Sequence, residues 1–349
     1  MKDRLVVVCL LNTHLWDVPA DPGQTPDPAG LPKGLAERGI TVRYRRLNRV
    51  PLNPMAGRGT FYAGFDLLRA LRVLLFDRDA DVVFSVGESN LVAVLLLAPL
   101  LRFRVPTVLR EVSARGWRRR DRVVDFVVPR VTQLDVLTPH QKRRLPTEFT
   151  LQAPPVLTGF AVDDTFFHPL PDVPEVLRIV AVGDDAGRDY PTLIEACRSL
   201  DWPLVLRTAT RPAVPDTMRD RVELLGRLSF LELRNLYASA AVVAVPVGTA
   251  DHPSGITAIF EAMAMGRAVV TSATGLAEGV IEHGRNGLVV PPGDPVALRT
   301  ALAQLMGDPA LRARLGAAAR ADIEGRLSYR AYVDRTAASL RQAAVRASG

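Results

Sequence analysis

Residues 253–292, PSGITAIFEAMAMGRAVVTSATGLAEGVIEHGRNGLVVPP, bring together groups whose types and spacing suit an anionic ligand at a helix start and a hydroxylated one on its side. Ser254 is a good N-cap residue, and Gly255 lets a ligand approach the free backbone N–H groups of the first turn, where the helix dipole favours a phosphate. Ile256, Ile259, Phe260 and Met263 follow the i, i+3, i+4, i+7 spacing of a buried stripe. That spacing predicts Thr257 and Glu261, one turn apart, on a face turned from the core. A carboxylate there accepts two hydrogen bonds from a vicinal diol such as a ribose. Gly266 ends this helix, and AVVTS (268–272) reads as the next strand.

A second stretch, VGDDAGRDYPTLIEA (182–196), reads as a strand ending at Gly183, then a loop into a helix. This is a geometry for approaching phosphates, and Arg188 in the loop can neutralise a diphosphate with its bidentate fork. The bland reading is a surface arginine in a polar loop.

The elements that must position these groups alternate along the whole chain. In the first half, strands are predicted at Leu5–Leu11, Thr41–Tyr44, Asp81–Val86, Val105–Leu109 and Gln133–Leu137, and helices at Leu31–Arg38, Phe61–Phe76 and Leu91–Leu101. The second half repeats the pattern with LRIVAVG (177–183), a helix Tyr190–Leu200, PLVLRTA (203–209), VELLG (222–226), a helix Ser229–Ala240 and AVVAVP (241–246). Such alternation predicts an α/β protein of two doubly wound, Rossmann-like domains, with ligands at the carboxyl ends of parallel strands. TGFAVDDTFFHPLPDVP (158–174) has the Pro-rich composition of a linker, which gives domains of 1–170 and 171–328. The amphipathic segment 329–349 follows them.

These residues carry a resemblance. EAMAMGRAVVTS, the loop ending in Glu278 and HGRNGLVVPPGDP resemble the donor-binding half of retaining glycosyltransferases of the GT-B fold, family GT4, whose usual pattern is E-x7-E-A-M-A-x-G-x-P-V-V. Glu261 matches the second Glu of that pattern, whereas the first falls on Pro253, with Asp251 and His252 just before it as candidates to take over. Asp184 stands where the family commonly has the Arg of a Gly-Arg pair, and Arg188-Asp189-Tyr190 is similar to its R-D-Y variant. LLGRLSF (224–230) resembles the turn that holds the nucleobase, placing Gly226, Arg227 and Leu228 there, although Gly226 also reads as a simple turn glycine. Glu278 resembles a family position near the sugar and phosphates. Segment 329–349 resembles the closing helix that returns to the first domain. The boundary segment resembles the family's GVDxxxFxP connection, and the two domains would face each other across a cleft.

The resemblance implies a nucleoside-diphosphate sugar as donor substrate and a small-molecule, lipid-linked or glycan hydroxyl as acceptor. It implies transfer with retention, and neither a cofactor, a divalent metal nor a protein nucleophile. Arg188 and the amides of Gly255 to Thr257 would stabilise charge on the departing diphosphate. Asp251, His252 and Glu111 complete the catalytic candidates. The acceptor side would draw on His14 and Trp16 after the first strand, Glu88 after DVVFSVG and Arg110 after PTVL. Two alternatives use the same features: a degenerate, non-catalytic partner that binds nucleotide weakly, and a sugar-nucleotide epimerase.

Composition fits an ordinary enzyme. At 349 residues the chain has room for roughly two domains of about 150 residues each, and 48% hydrophobic content excludes a disordered chain. Cys9 and Cys197 make no disulfide framework or metal pattern and read as small buried hydrophobes, which suggests a reducing, cytoplasmic setting. The net charge of +7 is almost all arginine, since Lys occurs only at 2, 33 and 142; no aromatic interleaving or motif points to nucleic acid. RGWRRRDR (115–122) reads as a solvated face, or as a peripheral contact with an acidic membrane at its inner face. MKDRLVVVCLL lacks a small-residue cleavage site and suits a buried strand, and LVAVLLLAPLL (91–101) is too short to span a bilayer. The D-x-D strings at 77–81 lie at the amino end of a strand and read as a polar turn rather than a metal site.

Overall fold

A computed structural model of the chain describes residues 4–10, 25–26, 30–45, 66–110, 121–185, 187–248, 254–275 and 277–346. They divide into two compact units: one takes the first strand with residues 28–159 and 332 onward, the other residues 25–26 and 160–331.

The first unit runs β1 (Leu5–Leu10), α1 (Gly30–Ala36), β2 (Ile40–Arg45), α2 (Leu67–Phe76), β3 (Val82–Val86), α3 (Val92–Leu97), β4 (Thr107–Arg110), α4 (Asp121–Val127), β5 (Gln133–Val136), α5 (Pro139–Glu148) and β6 (Val156–Leu157). Its six strands pair in parallel in the order β2-β1-β3-β4-β5-β6. Unbroken apolar runs such as LVVVCL make strands covered on both faces, and the core gathers Val8, Leu10, Val83, Leu109, Leu134 and Val136 against the helices. The helix expected at Leu91–Leu101 is shorter, because Glu88–Leu91 forms a 3₁₀ turn before it and Arg102 takes a left-handed φ of 51° beyond Pro99. The strand expected from Val105 starts at Thr107, after Pro106, which has no N–H to give to a ladder. The described part of the helix expected over Phe61–Phe76 begins at Leu67, with Asp66 accepting from the Arg69 amide at 2.9 Å.

The D-x-D residues are held as a polar turn. Asp77 is fully buried and paired with Arg45, and Arg43 grips Asp79 at 2.7 Å, so these carboxylates tie β2 to the start of β3. Cys9 and Cys197 are free and buried, and burial pushes both thiols up to about 12, which makes them inert.

The second unit runs β7 (Val176–Val182), α6 (Tyr190–Cys197), β8 (Leu204–Arg207), β9 (Val222–Leu225), α7 (Phe230–Ala238), β10 (Ala240–Val245), α8 (Ile256–Ala264), β11 (Ala268–Ser272), β12 (Leu288–Val290), α9 (Pro295–Gly307) and α10 (Pro309–Glu324). Its parallel sheet has the order β12-β11-β10-β7-β8-β9. Ser229 and Glu232 form a reciprocal capping box that starts α7. The stretch expected as a linker is built into this unit instead: Phe160 stands edge-on to Phe260 with centroids 5.3 Å apart, and Phe166 and Phe167 are buried. Aromatic side chains, not the prolines around them, decide where that stretch goes, and the division between units falls at Gly159.

The last helix, α11 (Tyr329–Arg346), belongs to the first unit from Tyr332 onward. The Arg110 guanidinium lies 4.5 Å from the centre of the Tyr332 ring, Arg335 donates to the Thr158 carbonyl at 2.8 Å, and the Ser339 hydroxyl donates to buried Asp135 at 2.5 Å. Burial raises the Asp135 carboxyl to about 6, against the hydrogen bonds from Ser339 and Gln133 and the charge of Arg110. No helix among the described residues is long and apolar enough to cross a membrane.

Candidate functional site

In the second unit the strand order reverses between β7 and β10, which are neighbours whose onward connections run to opposite sides of the sheet. Parallel sheets bind ligands at the carboxyl ends of strands at such a switch point. Two segments meet there, the loop from β7 into α6 and the entry to α8. The Asp189 amide donates to the Pro246 carbonyl at 3.1 Å and the Gly248 amide to the Gly187 carbonyl at 3.0 Å, which fastens the loop to the end of β10. Tyr190 at the start of α6 donates to the Gly183 carbonyl at 2.6 Å.

Arg188 is the centre of this arrangement. Only 4% of its side chain is exposed, and it lies in a slot made by glycines. A Cβ on Gly183 would come within 2.2 Å of its Nε, and one on Gly255 within 3.0 Å of an Nη and 2.8 Å of Val245. Gly255 also has φ of 91°, so two requirements exclude any other residue there. Gly255 therefore admits the guanidinium of Arg188, where the sequence suggested room for a ligand.

Asp185 holds the slot closed from the loop side. Its carboxylate accepts from Arg188 Nε at 3.2 Å, from the Gly187 amide at 3.0 Å and from the Ser254 hydroxyl. Ser254 does not cap α8; Gly255 occupies the N-cap position with no side-chain acceptor. The reason is position: Ser254 stands one residue before the cap, where its hydroxyl donates to the Asp185 carboxylate. Among the described residues no side chain caps the first-turn amides of α8, from Ile256 and exposed Thr257.

Glu261 departs most from expectation. It is buried, 7% exposed, rather than on a face turned from the core. Every residue of α8 except Thr257 is buried, since α10 packs against it in addition to β10 and β11 of the sheet. The Tyr237 hydroxyl on α7 donates to Glu261 Oε2 at 2.9 Å. Burial raises the carboxyl to about 7, opposed by that hydrogen bond and by the charges of Arg188 and Arg207.

Asp184, at the strand end, pairs with Arg207 of β8 at 2.6 Å and accepts from the Ala209 amide at 2.6 Å. The chain thus brings a guanidinium to this edge from the neighbouring strand. Gly226 and Arg227 are exposed and Leu228 half-buried, and a Cβ on Gly226 would meet nothing within 4 Å, as a simple turn glycine would show. Glu278 is half-buried.

In the first unit Glu88 is buried in the 3₁₀ turn after β3, and Arg110 turns onto Tyr332 of α11. His14, Trp16, Glu111, Asp251 and His252, with most of the run 115–122, lie outside the described residues. Among the described residues no group of three or more His, Cys, Asp or Glu could hold a metal ion. Sequence reasoning missed Asp185, Arg207 and Tyr237. An Asp two residues before a Gly is an Asx-turn signal that could have marked Asp185, whereas nothing local marked the other two.

Two six-stranded parallel α/β domains of this topology are the GT-B fold. Sucrose-phosphate synthase from Thermosynechococcus elongatus superposes with a TM-score of 0.78 at 20% identity, covering 99% of this chain and 100% of that one. Anabaena HepE in complex with UDP and glucose gives 0.68 at 16% identity, covering 97% and 100%. Residues 175–308, which hold this site, match the family model described as Glycosyl transferases group 1. D-inositol 3-phosphate glycosyltransferase of Xylanimonas cellulosilytica is 34% identical over 158 residues, 45% of this chain and 34% of the relative. Alpha-D-kanosaminyltransferase of Streptomyces kanamyceticus is 30% identical over 159 residues, 42% and 40% of the two chains. The chain thus spans well under half the length of these curated relatives.

Proposed function

We propose that the protein is a glycosyltransferase that binds a nucleoside-diphosphate sugar in its second unit and passes the sugar to an acceptor hydroxyl with retention of configuration. The observation that carries this reading is the seat of Arg188, held between Gly183 and Gly255 beside the uncapped start of α8 at the switch point. A fixed guanidinium and free helix amides are matched to a diphosphate, and they need no reorganisation as charge builds on it. Glu261 takes the ribose diol. Among the described residues Tyr237 donates to its Oε2, which orients the carboxylate and leaves Oε1 for the ligand. The bond from the sugar's anomeric carbon to the diphosphate breaks as the acceptor oxygen attacks from the same face, and the acceptor proton passes to the departing phosphate oxygen. Arg188 supplies the charge that a cation would otherwise bring, so the reaction proceeds without metal.

A panel of nucleoside-diphosphate sugars incubated with the protein in EDTA tests this by release of the free diphosphate. Release from at least one donor, lost in Arg188→Gln, is the expected result. Release that requires Mg or Mn, or that is unchanged in Arg188→Gln, would refute the site. A donor converted to its epimer without release would instead establish the epimerase alternative.

A further inference from the structure

Of the eleven large apolar side chains exposed among the described residues, six lie on α2, α3 and the turn after α3: Leu67, Leu68, Leu75, Phe76, Leu96 and Leu100. Phe76 is 75% exposed and Leu100 77%. Helix α2 is apolar on both its buried and its exposed side, unlike an ordinary surface helix. Its inner face buries Ala70, Val73 and Leu74 with Arg69, while Leu67, Leu68, Leu75 and Phe76 are exposed. The buried charge is tolerated because Arg69 donates to Asn90 at 2.7 Å and has Asp66 3.9 Å away. The buried arginine is thus satisfied by the fold, whereas Leu67, Leu68, Leu75 and Phe76 stay exposed.

Helices α2 and α3 pack together, and Arg78 just beyond α2 donates to the Leu101 carbonyl at 3.0 Å, so the ends bearing Phe76 and Leu100 adjoin. Exposed Arg72, Arg78, Arg102 and Arg104 accompany the apolar side chains. The nearby acids do not offset them, since Asp77 is buried against Arg45 and Asp79 is taken by Arg43. Apolar side chains among arginines form the pattern of an interfacial surface, in which leucine and phenylalanine enter the boundary of headgroups and acyl chains while guanidiniums meet lipid phosphates.

We propose that the α2–α3 face docks the first unit onto an anionic lipid surface. A second copy of the chain is the poorer occupant: a two-fold contact sets a patch against itself, here arginine against arginine. The reading is independent of the donor site.

Co-sedimentation of the full chain with vesicles of phosphatidylcholine alone and of phosphatidylcholine with phosphatidylglycerol tests it. Binding to the anionic vesicles only is expected, falling about tenfold in Phe76→Glu/Leu100→Glu, which removes two inserted side chains and adds two repelled charges. Leu224→Glu, at an exposed leucine of the second unit, should bind as wild type. Arg72→Glu/Arg102→Glu gives a second reading without touching an apolar residue, and it too should lose binding. Equal sedimentation with both vesicle types, no sedimentation at all, binding unchanged in both double variants, or a wild-type dimer in ultracentrifugation that Phe76→Glu/Leu100→Glu makes monomeric without effect on vesicles would overturn the proposal.

Discussion

At the scale of single residues, Glu261 and Gly255 make the sharpest demands on the proposed donor site. Because Glu261 is buried and bonded to Tyr237, its replacement must keep an acceptor. Glu261→Gln keeps one, and we expect a folded protein whose affinity for its ribonucleotide falls about tenfold to a hundredfold, the worth of about 1.5–3 kcal/mol for a charge-assisted bond. A deoxyribonucleotide should bind wild type and variant alike. The carboxyl is raised to about 7, so it is the neutral, weaker acceptor below that value and the carboxylate above it. Wild-type affinity should therefore fall as pH drops through 7 while the Gln variant stays flat; parallel titration curves for the two proteins would end the ribose assignment. Gly255→Ala makes a different demand. Its Cβ would meet Val245 at 2.8 Å and Arg188 at 3.0 Å, at a φ of 91°. Such strain costs about 1–3 kcal/mol, and because relief comes most readily by moving Arg188, diphosphate binding should weaken more than nucleoside binding. Calorimetric titration with both ligands would reveal an equal loss, if the glycine served the backbone alone.

At the scale of elements, α11 is held to the first unit by groups that titrate. The Asp135 proton leaves near 3.8 in an unfolded chain and near 6 in the folded one, so the native state holds it longer. Stability from this group is present at low pH and is lost as pH rises through that window. Asp135→Asn removes the dependence, and the melting temperature of wild type relative to this variant should fall between about pH 4 and pH 6. A constant difference would show that the carboxyl is not strained by its burial. The same elements show what could be read from the chain beforehand. Apolar runs such as LVVVCL and AVVAV declare buried parallel strands because both faces must be covered, and with them come the alternation and the fold, whereas the switch point needs the strand order. Helix α5, PHQKRRLPTE, gave no such signal, since it buries little and carries Pro146 inside it. Arg188 stands out from its loop as a candidate, and its slot between glycines is not readable there. Glu261 was identified but placed on the wrong side, because a stripe of four apolar residues describes one contact face and α10 supplies another. Arg207 and Tyr237 reach the site from elements distant in sequence, and no local pattern records a contact made by packing.

At the scale of the whole molecule, each unit has its own sheet and its own apolar core, one centred on residues such as Val83 and Leu109, the other on Ile179, Val242 and Leu302. Units with separate cores can unfold separately, and a ligand stabilises the unit whose native state it binds. The elements of the proposed donor site, β7, β8, β10, α7 and α8 with the loop carrying Arg188, all lie within residues 160–331. A scanning calorimeter should therefore resolve two transitions, and a nucleoside diphosphate in EDTA should raise one and leave the other in place. At a hundredfold excess over Kd the gain is about 2.7 kcal/mol, enough to separate transitions that overlap without ligand. The transition that moves can be assigned with Gly316→Ala, in which a Cβ would lie 2.1 Å from the Gly266 carbonyl oxygen and force α10 away from its seat beside α8. That substitution should lower the ligand-sensitive transition alone, by an amount typical of overpacking, about 1–3 kcal/mol. If the nucleotide raised both transitions equally, or raised the one that Gly316→Ala leaves untouched, the diphosphate would be held by more than the second unit and the site around Arg188 would be incomplete.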